Sequence, residues 1–264
     1  MSIRPIALLL IGLLTGSLLI QGQEGLPSRE QDWIIETEIL LPNATLYNDI
    51  AIRQNPVSST SYDNGTVTYS VGGLMLGTRW KWQNPARGWG LSVGIRAKAL
   101  YNKITGNMER NSDFYYLRYY TDDATGVTKF ARINTINESM LLLALPLEAN
   151  YTVLRTELFD AFISIGTEVG YFTMREVKIS FRDNTMKPYE SAVRKSIDHP
   201  VNNLYGAVYG TVGAAIGQSP RLIGEICLPG IYFSKKYFML GTAQYFTSFR
   251  LSLQIPVFKS QPEK

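Results

Sequence analysis

Apolar and polar residues alternate along most of this chain. In SFRLSLQIPVF (248–258), Phe249, Leu251, Leu253, Ile255 and Val257 share one parity, and Arg250, Ser252 and Gln254 take the other. Alternation with period two predicts a strand with two unlike faces. The pattern predicts eight strands, over about 32–42, 65–82, 88–104, 137–152, 158–178, 202–217, 220–232 and 244–258. Helix signals are poor throughout, while Gly, Tyr, Val and Thr are frequent. The third strand sets Trp89, Leu91, Val93, Ile95, Ala97, Ala99 and Tyr101 against Ser92, Gly94, Arg96, Lys98 and Asn102. The fourth sets Leu141, Leu143, Leu145, Leu147 and Tyr151 against Ala144, Pro146, Glu148 and Asn150. The fifth sets Phe159, Ile163, Ile165, Val169 and Tyr171 against Ser164, Gly166, Glu168 and Gly170. In the second, apolar parity moves from Val67, Tyr69 and Val71 to Leu74, Leu76, Trp80 and Trp82. Gly72-Gly73 lies at the change, which predicts a β-bulge there.

The connections alternate as well. Segments 43–64, 105–136 and 179–201 are long, polar and rich in Asn, Asp, Ser and Thr, whereas QNPARG (83–88), VLRTEL (153–158) and GQSPR (217–221) are short turns. An up-and-down outer-membrane barrel has this layout, with short periplasmic turns and longer outer loops. The expected fold is therefore all-β: a closed, antiparallel, eight-stranded transmembrane barrel. FYYLRYY (114–120) and VTKFARI (127–133) form a further hairpin, expected to extend two strands above the membrane; the alternative is a ten-stranded barrel.

Alternation alone does not say which face points inward, since a lipocalin-like barrel turns its apolar side in and a membrane barrel turns it out. Two observations favour the membrane barrel. Trp33, Trp80, Trp82 and Trp89 fall at the same end of three neighbouring strands, as an interfacial aromatic girdle would. Tyr101, Tyr171 and Tyr232 would mark the opposite rim. The polar faces carry Glu36, Glu38, Glu148, Glu168 and Glu225 together with Arg79, Lys81, Arg96, Lys98 and Arg250. Five acids matched by five bases suit the filled interior of a narrow barrel, because an unpaired buried charge costs several kcal/mol. Arg250 is then expected in the lumen, and Leu251, Leu253 and Ile255 in lipid.

The front of the chain changes the picture once. In MSIRPIALLLIGLLTGSLLIQGQEG, Arg4, the apolar run Ile6–Ile20 and Gly22 predict a signal peptide over 1–22, with an N-terminal anchor as the alternative. Residues 23–264 then form the barrel domain. No Cys follows the apolar run, so a lipoprotein anchor is not expected. A single cysteine, Cys227, allows no internal disulfide, and a net charge of +4 without a Lys/Arg cluster gives no footprint for nucleic acid. Cys227 reads as a small apolar filler.

The signal segment, the eight strands, LLLALPLEANY (141–151) and SFRLSLQIPVF together resemble small PorT-type, OmpA/OmpX-like outer-membrane β-barrels. The resemblance implies an integral barrel of the Gram-negative outer membrane, and a link to secretion through the family's named member. The chain departs from such barrels in one respect: KSQPEK follows Phe258, where a terminal aromatic is common.

Candidate chemistry is thin. His199, in SIDHP, is the sole histidine, and a Ser/His mechanism would need it with Ser196 or Asp198; an exposed loop histidine is the expected reading. Glycines 206, 210, 213 and 217 read as allowing close packing or curvature in a strand. DNTMKPYESAVRKS (183–196) reads as a solvated loop. The sequence thus predicts a non-enzymatic barrel without cofactor or metal. Its partners would be outer-membrane lipid and, through its loops, an envelope protein or surface ligand. A small-solute channel, a lipid-modifying enzyme and a soluble lipocalin-like carrier are the alternatives.

Overall fold

The structure, a computed structural model, describes residues 30–46, 52–53, 67–84, 86–106, 115–121, 128–228, 230–232 and 238–258. The expected signal segment and the tail after Phe258 lie outside the described residues. Eleven strands run in chain order: β1 (Glu30–Leu46), β2 (Ile52–Arg53), β3 (Val67–Asn84), β4 (Trp89–Gly106), β5 (Tyr115–Thr121), β6 (Thr128–Arg155), β7 (Phe159–Phe181), β8 (Leu204–Ile216), β9 (Arg221–Cys227), β10 (Ile231–Tyr232) and β11 (Gly241–Phe258). Eight of them close an antiparallel ring, β1–β3–β4–β6–β7–β8–β9–β11 and back to β1. The β5 hairpin pairs with the far end of β6 and with β2, outside the ring, so it extends the wall and adds no strand to it. Eight strands is the number.

Short turns gather at one end. Gly88 (φ 71°) closes the β3–β4 turn and Gly217 (φ 102°) begins the β8–β9 turn, left-handed positions that glycine takes without strain. This is called the inner end below.

The alternation becomes an inside-out barrel. In β4, Leu91, Val93, Ile95 and Tyr101 face outward and are exposed, while Ser92, Arg96, Lys98 and Asn102 face inward and are buried. In β11, Arg250 is 1% exposed and Leu251 42%. The interior is filled in layers. Ile34, Ala215 and Ile223, with Phe162, form an apolar floor toward the inner end. A charged belt follows, then an apolar layer of Leu40, Met75, Leu100, Met140, Leu142, Phe172, Tyr205 and Phe238. At the outer end Ile104, Ile133, Ile136, Val177, Val193, Ile197, Met239 and Leu240 form a further core.

Three expectations are corrected. No bulge occurs at Gly72-Gly73: β3 pairs with β4 in unbroken register from Val67 to Asn84. Tyr69 and Val71 keep the parity of Met75 and Arg79 and point inward, packing on the outer apolar layers. The lumen changes character there; the strand does not. Segment 183–196 is not a solvated loop. It forms a 3-10 turn (Asn184–Tyr189) capped by Asp183, whose Oδ1 accepts the Thr185 N–H at 2.9 Å, and then helix α1 (Glu190–Ser196). Val193 and, just after the helix, Ile197 are fully buried against the outer core. Finally, the strand expected over 220–232 is divided into β9 and β10, and only β9 pairs with β11.

Candidate functional site

The belt is assembled by register. Glu36 and Arg79 lie on adjacent strands, as do Arg96 and Glu148, Glu38 and Arg250, and Arg250 and Glu225, so these four acids each meet a base from a neighbouring strand. Glu168 reaches across β6 to Arg96 and Lys98 on β4. Of the ten charged residues singled out from sequence, nine converge. Glu148 sits at the centre: it takes Arg96 Nη2 at 2.6 Å, Arg250 Nη1 at 3.0 Å, the Tyr209 hydroxyl at 2.6 Å and a close contact from Arg79. Arg96 donates bidentately to Glu36, Nε at 2.7 Å and Nη2 at 3.3 Å, and through Nη1 to Glu168 at 2.8 Å. Arg79 Nε lies 2.7 Å from Glu36, a charge contact whose angle is poor for a hydrogen bond, and its Nη2 reaches Glu225 at 3.0 Å. Arg250 Nε reaches Glu38 at 3.1 Å, Lys98 pairs with Glu168, and Ser248 donates to Glu38.

Each of the nine charged members of this network is less than 8% exposed. Isolated charges at such depth cost several kcal/mol each, and sharing each carboxylate among guanidiniums offsets that cost. Room comes from glycine. A Cβ on Gly77 would lie 2.9 Å from both Arg96 Cγ and Glu36 Oε1. Lys81 stands apart. Its Nζ sits 5.9 Å over the Phe162 ring, and among the described residues no carboxylate lies within ion-pair distance of it.

Sequence reasoning missed Tyr209, which links Arg96 (2.6 Å) to Glu148. It also missed two clusters outside the belt. At the inner end Asp160 accepts from Arg221 and lies 3.8 Å from Arg155. Toward the outer end the fully buried Glu138 accepts from Asn102 Nδ2 at 2.7 Å and lies 3.3 Å from Arg175 Nε. A lone acid in the apolar row Ile136–Met140–Leu142 was the signal that could have found it.

The four tryptophans lie on the outer face at the inner end. Trp33 pairs with Trp80 across β1–β3, their rings edge-on at 5.3 Å and 81°, and Trp82 and Trp89 neighbour them on β3 and β4. Tyr101 and Tyr171 lie exposed at the other edge of the apolar band; the Tyr232 side chain is outside the described residues. From Trp89 to Tyr101 is about 40 Å along the strand at ~3.3 Å per residue, or about 30 Å along the axis at a ~40° tilt. His199, Ser196 and Asp198 make no nucleophile–base arrangement: Ser196 donates to the Val193 carbonyl at 2.7 Å, and His199 Nδ1 lies 3.1 Å from the Ile197 carbonyl.

Between the belt and the apolar layer is a cavity of about 30 Å³, lined in part by Lys98, Leu100, Leu142, Tyr205, Tyr209, Cys227 and Arg250. That volume has room for one or two waters.

No protein family and no curated protein matches the sequence. Among solved structures, the chain is similar to the outer membrane protein OprG from Pseudomonas aeruginosa, with 10% identity over 86% of this chain and 94% of that one, at a TM-score of 0.41. It is also similar to the COG4313 outer membrane channel from Pseudomonas putida F1, with 11% identity over 89% and 98% and a TM-score of 0.24. Likenesses of this degree carry no argument about role.

Proposed function

We propose that the protein is an integral β-barrel of the Gram-negative outer membrane, without enzymatic activity, and that it presents its outer-end structure to another envelope protein or a surface ligand. One observation carries the reading: an apolar outer band about 30 Å tall, edged by Trp and Tyr, surrounds a lumen of buried, mutually paired charges. Water does not tolerate so continuous an apolar exterior on a monomer, since exposed patches seldom exceed a few hundred Å². Hydrocarbon does, and its thickness matches the band.

The filled lumen favours a scaffold over a small-solute channel, because ion pairs from seven ring strands fill the bore at mid-height. A place among PorT-type barrels belongs to the same reading; the proline-bearing strand 141–151 and the closing strand 248–258 support it. Fractionating cells that make the full chain, or a copy lacking 111–126, tests both parts. Both proteins are expected in the outer membrane with heat-modifiable migration, and only the full chain is expected to cross-link to a neighbour at the cell surface. Recovery in the soluble periplasm overturns the membrane assignment, and equal cross-linking by both proteins overturns the role of that loop.

A further inference from the structure

Residues 238–240, just before β11, turn into the barrel. Phe238 and Leu240 are fully buried and Met239 is 8% exposed, although the wall strand β11 follows directly. Phe238 enters the apolar layer over the belt, while Met239 and Leu240 enter the outer core. One side chain ties this strap to the opposite wall. Glu138, on β6, accepts the Met239 N–H with both carboxylate oxygens at 3.0 Å. Asn102 and Arg175 hold the same carboxylate from β4 and β7. Three ring strands thus converge on the strap backbone, where the Met239 N–H takes both oxygens of Glu138 and the Leu240 N–H also faces that carboxylate.

Beside the strap the ladders among the described residues are short. The β9–β11 ladder stops at Cys227–Ser248. Beyond it, residues 241–247 of β11 pair with β1 alone among the described pairings, and β10 contributes only Ile231 and Tyr232, paired with β8. We propose that residues 238–240 are a latched plug, with Glu138 as the latch, and that release of the Met239 N–H lifts Phe238 and opens the outer half of the lumen down to the charged belt. A buried acid is costly unless partnered, and the strap backbone is one of the partners of Glu138 beside Asn102 and Arg175. The observation is local to the barrel and does not depend on where the barrel resides.

Cys227, the sole cysteine, lines the cavity beneath the apolar layer and is 5% exposed, so its modification reports opening. The experiment follows the rate at which a polar maleimide labels the full-length protein in detergent micelles. The variants are Glu138→Ala, Glu138→Gln and Met239→Pro, the last removing the N–H and leaving every charge in place. Heat-modifiable migration scores folding. Glu138→Ala and Met239→Pro are each expected to label about tenfold faster or more, the order of effect of losing a hydrogen bond to a charged group. Glu138→Gln should fall between them and the parent, and the double variant should gain little over either single change. Parental rates in a folded Glu138→Ala overturn the latch. If that variant does not fold, a parental rate in Met239→Pro overturns it equally.

Discussion

Strand β4 carries two opposite arrangements end to end. Up to Tyr101 it turns Val93, Ile95 and Tyr101 outward and Arg96 and Lys98 inward; beyond Tyr101 it turns Lys103 outward and Ile104 inward. Strand β7 agrees. On β7 the outward Val169 and Tyr171 give way to Glu176 and Lys178, and the inward Glu168 gives way to Val177. Past the tyrosine rim the wall obeys the ordinary rule of a water-soluble protein, with oil inside and charge outside. Before it the rule is reversed. On β4 the reversal needs no change in strand geometry, only in which residue type occupies each parity, whereas on β7 a bulge between Phe172 and Met174 also moves the outward face from odd to even positions. A medium that changes from hydrocarbon to water at the rim accounts for both halves.

The largest test of this contrast removes the centre of the belt. Glu148→Gln leaves Arg79, Arg96 and Arg250 short of their shared carboxylate, and should destabilise the barrel by about 3–5 kcal/mol in reversible denaturant unfolding from lipid vesicles. A cost below ~1 kcal/mol would mean water reaches the belt. Next comes the exterior. Ile95→Arg, midway between Trp89 and Tyr101, is expected to cost about 2–4 kcal/mol, whereas Met174→Arg beside the rim should cost about 0–1 kcal/mol in the same assay. Equal costs at the two sites would erase the band. The smallest effect belongs to Lys178→Ala, which breaks the exposed Lys178–Glu176 pair at 3.2 Å. Stability should move by less than about 0.5 kcal/mol, and less still at high salt. Set beside Glu148, it separates ion pairs by location and not by chemistry.

Much of this was legible in the sequence. Period two revealed the strands, the five acids facing five bases pointed to a paired interior that all of them but Lys81 enter, and the tryptophans at 33, 80, 82 and 89 marked one end. What escaped notice has a common cause: parity names a face but not what the face meets. Val71 and Tyr69 therefore read as a slipped register, when they fill an oily layer of an unslipped strand. Helix α1 escaped because its single buried residue, Val193, has its helical partner Ile197 just past the helix end, hidden among charges such as the Glu190–Arg194 pair. The inward strap at 238–240 has no periodicity at all, and its anchor Glu138 lies 101 residues away in sequence.

The position of Glu148 constrains how such a molecule can change over generations. Three guanidiniums and a phenol depend on one carboxylate, so no pair within the ring can be exchanged or inverted while the others stay as they are. A descendant of this scaffold that conducts solutes would have to surrender the whole set together, through intermediates that fold poorly. Substitution by single steps is steered instead to the outer end, where the wall already follows the rules of soluble proteins.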